Sequence, residues 1–164
     1  MTRHVWALEL GAEPRATERL GVVIGQHLQP GQVIGLTGPM GAGKTTLVRG
    51  IAAGLGLDDP EGVSSPTYLL VVEHGGRLPL IHADAYLPEK LESFLADGGL
   101  EYLLDARKVT CVEWADRIHN LLPEDVLWLS LAHRACGGRA VRVRVGSPER
   151  FPWLSEWRRI VEAE

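Results

Sequence analysis

The stretch Gly38-Pro39-Met40-Gly41-Ala42-Gly43-Lys44-Thr45 constrains this chain more than any other, because it fits G-x-x-x-x-G-K-[ST] at every fixed position. It follows residues 33–37, an apolar run short and β-rich enough for a buried strand, and it opens a helical pattern that aligns Leu47, Ile51 and Leu55 before Gly56. Glycines at 38, 41 and 43 let the backbone turn through conformations that a Cβ resists. Successive N–H groups can then converge on an anion, and the new helix adds its positive end at the same point. The pattern therefore predicts a phosphate cradle from Gly38 to Thr46. Lys44 supplies a point charge for β and γ phosphates, and the Thr45 hydroxyl a ligand for Mg²⁺.

The rest of the chain alternates in a way that fits α/β architecture. Residues 4–10 read as a first strand. Pro14 suits a first helical turn, with Ala16, Leu20, Ile24 and Leu28 on one face. Residues 68–73 and 78–83 read as a hairpin around a four-residue turn at 74–77. Pro88 opens a helix carrying Leu91, Phe94 and Leu95 and stopped by Gly98 and Gly99. Residues 109–112 form another buried strand, ending at Glu113, and residues 126–132 and 140–145 a second hairpin through Gly137 and Gly138. A final amphipathic helix after Pro148 presents Trp153, Trp157, Ile160 and Val161 together. The expected fold is a P-loop NTPase-like three-layer α/β sandwich with a mainly parallel central sheet and antiparallel hairpins. The whole chain, 1–164, is one nucleotide-binding domain with a helical tail at 148–164.

Composition narrows the setting. Hydrophobic residues make up 45% and charged residues 23% of 164, which excludes a disordered or fibrous chain. No apolar run reaches the roughly 18 residues of a membrane span, and the N-terminus has no apolar signal core, so a cytoplasmic protein without membrane contact is expected. Cys111 and Cys136 match no metal or redox spacing and read as thiols filling the core. Net charge is −4, yet residues 134–159 hold seven arginines against two glutamates, a local +5. Such asymmetry suits contact with nucleic acid or an acidic partner, and Arg142 and Arg144 are its test positions.

A phosphate site with a metal also needs an acid at the end of a neighbouring strand. Asp84 and Glu113 both qualify, since both emerge at the carboxyl edge of the sheet, and spacing leaves the choice of metal ligand open. Ser64, Ser65 and Thr67 lie in the longest loop after the phosphate helix, where hydroxyls reach water or a γ-phosphate. His82 alternates with Asp84 and reads as a packed or partnered strand histidine. The single asparagine, Asn120, excludes an N-K-x-D guanine-reading element and with it an ordinary GTPase. Only Lys90 and Arg107 supply positive charge between residues 88 and 107, thin material for a kinase lid.

The motifs in series carry a resemblance. The glycine loop is followed by Val63-Ser64-Ser65-Pro66-Thr67-Tyr68, then His82-Ala83-Asp84-Ala85-Tyr86, then Val112-Glu113-Trp114. In this order the chain, over roughly residues 5–145, resembles the bacterial TsaE (YjeE) family, the ATPase component of tRNA threonylcarbamoyladenosine (t6A) formation. The resemblance implies ATP and Mg²⁺ as ligands, TsaD and TsaB as partners, and tRNA reached through that complex. It implies that Ser65, Pro66 and Thr67 act as a switch near the nucleotide and that Asp84 is needed for hydrolysis. Glu113 then holds Mg²⁺ with Thr45, Trp114 belongs to the nucleotide site, and Thr17 matches a threonine near the adenine. The family's arginine after the tyrosine and proline after the tryptophan are Leu87 and Ala115 here, so an arginine contact from position 87 is missing.

These readings give a weak, partner-coupled ATPase with Asp84, Lys44 and Thr67 as the residues of hydrolysis. The nucleotide contacts run over Gly38, Pro39, Met40, Gly41, Ala42, Gly43, Lys44, Thr45, Thr46, Ser65 and Trp114. A small-molecule kinase and a nucleotide-gated interaction module without hydrolysis are the alternatives.

Overall fold

A computed structural model describes residues 4–67 and 70–162. In chain order its elements are strand β1 (His4–Leu10), helix α1 (Pro14–His27), β2 (Val33–Thr37), α2 (Lys44–Gly54), β3 (Val71–His74), β4 (Leu80–Asp84), α3 (Pro88–Phe94), α4 (Leu100–Leu103), β5 (Val109–Glu113), β6 (Leu127–His133), β7 (Arg139–Val145) and α5 (Trp157–Glu162). One sheet takes the order β1-β7-β6-β2-β5-β4-β3. Its centre, β6-β2-β5-β4, is parallel. The edges are antiparallel, β1 and β6 flanking β7 on one side and β3 closing the other.

The apolar stripes predicted from the sequence form two cores, one on each sheet face. Leu20 and Ile24 of α1 and Leu47 and Ile51 of α2 pack with Ile34, Leu36 and Leu129 on one face. Leu91, Leu103 and Ile118 pack with Val33, Ile81 and Val112 on the other. This is the expected three-layer P-loop-like α/β fold.

Helices α1 and α2 touch backbone to backbone. A Cβ on Gly50 would lie 2.1 Å from the carbonyl oxygen of Glu18, and one on Gly21 only 2.4 Å from that of Leu47. Neither obstacle is the end of a flexible side chain, so the helices must part to admit a methyl group. For Gly50→Ala we expect a steric cost near the upper end of overpacking, about 3 kcal/mol. Better helix propensity returns about 1 kcal/mol. The net loss of about 2 kcal/mol should lower Tm by roughly 4–8 °C in a thermal melt; a melt within one degree of the parent would show that the crossing has slack.

Several boundaries differ from the sequence reading, each for a tertiary reason. The first hairpin was expected from residue 68, but Tyr68 and Leu69 lie outside the described residues and β3 begins only at Val71. Leu70 has φ 66° and donates its N–H to Pro66 O at 2.7 Å, closing a turn that delays the strand. At the far end, Arg77 and Leu78 donate their N–H groups to Gly56 O and Leu55 O, so the turn pairs with the segment that follows α2. The helix from Pro88 does break at Gly98 as read from the sequence, since Asp97 and Gly98 leave helical geometry with Gly98 at φ 91°, but a second short helix, α4, follows at once.

The tail is not one helix either. Pro152 lacks an N–H, so residues 148–156 form two short 3₁₀ turns, and α5 holds only six residues. Trp157 nevertheless enters the core with Phe151 and Leu154, and Trp153 packs against it. Cys111 fills the core as expected, where burial raises its thiol pKa, but Cys136 is exposed in the β6–β7 turn.

Candidate functional site

The glycine loop crosses the carboxyl end of β2 and runs directly into α2. Gly38, Gly41 and Gly43 have φ of 140°, 77° and 104°, values an L side chain rarely adopts. At Gly38 space forbids one as well, since a Cβ would lie 2.3 Å from Leu131 O on β6. The first intrahelical bond of α2 runs from Leu47 N to Gly43 O at 2.9 Å, so the amides of residues 44–46 project from the helix N-terminus. Thr17 is buried beside this turn, with Cγ2 3.5 Å from where a Gly43 Cβ would be.

Four buried polar side chains meet at the loop. Lys44 Nζ donates to Gly38 O at 2.6 Å and Pro39 O at 2.9 Å, and it lies 4.0 Å from the centre of the Trp114 ring. Burial pushes its pKa below the usual lysine value, while the carboxylates of Glu113, Asp84 and Asp116 oppose that shift. Glu113 ends β5 and uses both oxygens: Oε1 accepts from Thr45 Oγ1 at 2.9 Å, and Oε2 accepts from His82 Nε2 at 2.6 Å. His82 is completely buried and is the partnered strand histidine expected from the sequence. It holds the carboxylate from behind.

Asp84 ends β4 beside Glu113 in the parallel ladder. It stands one layer behind the loop that shares its bonds. Its Oδ2 accepts from Ser65 Oγ at 2.8 Å and Thr67 Oγ1 at 3.3 Å, and its Oδ1 from the Tyr86 N–H at 2.8 Å. Ser65, Thr67, Tyr86, Glu113 and Trp114 thus wall one side of a cleft of about 610 Å³, with Met40, Gly41, Gly43, Lys44, Thr45 and Thr46 on the other. That volume suits a small-molecule ligand. Pro39 lies behind Lys44, and Ala42 is turned fully into the core. Ser64 is exposed and does not line the cleft.

The donor set also bears on a metal. Among the described residues no group of three or more His, Cys, Asp or Glu side chains assembles. A hydroxyl and one carboxylate, Thr45 and Glu113, is instead the sparse oxygen set that fits Mg²⁺, which keeps waters and shares phosphate oxygens.

Two arginines of the site escaped the sequence reading. Arg117 donates to Tyr86 O, and its guanidinium carbon lies 4.8 Å from the Tyr86 and Trp114 ring centres, so a guanidinium reaches this wall although position 87 is leucine. The W-x-x-R spacing after Glu113 was the available signal. Arg139 was counted in the basic stretch, but it binds loop carbonyls. Within that stretch Arg134 pairs with Glu9, Arg150 with Asp125 and Arg159 with Glu156.

Known proteins resemble this chain over most of its length. A family model described as threonylcarbamoyl adenosine biosynthesis protein TsaE matches residues 12–141. The tRNA threonylcarbamoyladenosine biosynthesis protein TsaE of Treponema pallidum is 39% identical over 127 residues, 77% of this chain and 92% of that one. The protein of the same name from Bacillus subtilis is 37% identical, covering 70% of each chain. The crystal structure of Bacillus subtilis YdiB superposes with a TM-score of 0.72 at 26% identity, covering 99% of this chain and 96% of that one.

Proposed function

Because the chain belongs to the TsaE family of tRNA threonylcarbamoyladenosine biosynthesis proteins, we propose that it is a Mg²⁺-dependent ATP-binding protein that hydrolyses ATP weakly alone and supports threonylcarbamoyl transfer to tRNA through a TsaB–TsaD complex. One observation carries the reading. The open amides of residues 44–46, the Lys44 ammonium and the Thr45–Glu113 pair converge on one cleft at the carboxyl edge of the sheet. A triphosphate there meets main-chain donors, a cation and a half-built Mg²⁺ site without rearrangement of the core.

Thr45 and Glu113 would hold the Mg²⁺, which when bound would supply positive charge against the charge developing on the phosphates. The chain's own residues do the rest. Lys44 balances phosphate charge, His82 fixes the Glu113 carboxylate, and Trp114 shields the Lys44 ammonium from water on one side. Ser65 and Thr67 present hydroxyls at the cleft wall, and Asp84 sets their direction. Nothing here forms a covalent bond to phosphorus. The catalytic contribution is electrostatic and positional.

The test is phosphate release from ATP with and without Mg²⁺, alongside calorimetric titration with MgADP. We expect saturable binding and slow, Mg²⁺-dependent release that rises when TsaB and TsaD are added. Transfer of the γ-phosphoryl group to a small acceptor would make the protein a kinase, and absence of nucleotide binding would remove the reading.

A further inference from the structure

We propose that Arg139 is a positioning residue for the phosphate cradle: from the first position of β7 it grips the outer carbonyls of the glycine loop and so sets the direction of the inner amides. The inference rests on the cradle reading above and adds a residue to it. Arg139 Nε donates to Ala42 O at 3.0 Å and Nη2 to Gly41 O at 3.3 Å. Nη1 donates to Gly137 O at 2.9 Å and Gly138 O at 3.1 Å in the β6–β7 turn. The guanidinium fork therefore rivets that turn to the loop.

Peptide planarity gives these bonds their consequence. A carbonyl and the next residue's N–H lie in one rigid plane and point in opposite directions, so holding Gly41 O and Ala42 O outward turns the N–H groups of Ala42 and Gly43 inward. Ala42 N donates within the loop, to Pro39 O at 3.2 Å. The Gly43 amide is thereby aimed toward the side that Gly41 and Gly43 line in the cleft. The segment needs such a restraint. Residues 41 and 43 are glycines with the widest backbone freedom, and no atom lies within 4 Å of where a Gly41 Cβ would sit. A planar fork suits two neighbouring carbonyls, whereas an ammonium is a point charge without that shape.

The experiment compares Arg139→Ala and Arg139→Lys in the full chain, with Arg15→Ala as a control that removes one exposed charge from α1. Amide hydrogen exchange is followed at Ala42, whose N–H is bonded to Pro39 O within the loop, without nucleotide, and MgADP affinity is measured by calorimetry. Both Arg139 variants should exchange at least about tenfold faster there and bind MgADP about tenfold more weakly, the scale of a lost charge-assisted hydrogen bond. The control should change neither by more than about twofold, as expected for a solvent-screened surface charge. Unchanged exchange in Arg139→Ala overturns the proposal, as does full recovery of exchange and affinity in Arg139→Lys, which would mean charge alone suffices. If the parent protein binds no MgADP, the nucleotide reading fails instead, and the exchange comparison still decides the role of Arg139.

Discussion

Replacing Lys44 with alanine is expected to lower Mg²⁺-dependent ATP turnover by about 10²- to 10³-fold, the usual effect of deleting one preorganised charge donor. The geometry explains why the loss should be so large. The ammonium is the positive charge set among Glu113, Asp84 and Asp116, and without it a triphosphate would approach acids of its own sign. Folding should be little affected. Burial disfavours the charged lysine, and the two carbonyls it serves belong to half-buried Gly38 and exposed Pro39. A phosphate-release assay paired with a thermal melt checks both halves: turnover lost with Tm within about 4 °C, or about 1 kcal/mol. Glu113→Ala is a less clean test. It strands His82, fully buried, and removing the partner of a buried polar group costs about 1–3 kcal/mol.

The second large effect is at Asp84. Asp84→Asn keeps the shape of the side chain but leaves a single acceptor oxygen: with that oxygen on the Tyr86 N–H, the new NH2 group faces Ser65 and Thr67, whose hydroxyls must turn from donating to accepting. We expect turnover to fall about 10²-fold, within the range for losing a group that orients the reaction, while MgADP affinity changes by less than about threefold, under one neutral hydrogen bond. Equal losses in both would assign Asp84 to binding. Because the carboxylate acts through two hydroxyls, the double variant Asp84→Asn/Thr67→Ala should lose less than the two single losses combined, as residues of one network do. Additive losses would instead mean that Asp84 acts independently of Thr67.

Much of this site could be read from the sequence because its parts are local. The glycine loop, Lys44 and Thr45 sit in one stretch between a strand and a helix, and Asp84 and Glu113 each end an apolar run. A parallel sheet places such ends at one edge. What escaped depended on distant pairing. Nothing near Arg139 marks it as a loop contact. That role requires β6 to lie beside β2, which brings the far β6–β7 turn to the glycine loop. The delayed start of β3 has the same origin in particular contacts, since Leu70 is held to Pro66 in a conformation that propensity does not favour. Asp84 was legible as a strand-end acid but not as the anchor of Ser65 and Thr67, because a loop's return path is not encoded in periodicity.

The glycine-lined crossing of α1 and α2 bears on where this molecule can give. Two main chains in direct contact have no cushion of side chains between them, so one helix cannot slip past the other without breaking the fit along its length. The ground beneath the cleft is a direct fit of main chain on main chain, and the opposite rim is held on another principle, two hydroxyls clasping a single carboxylate through bonds that can be exchanged one at a time.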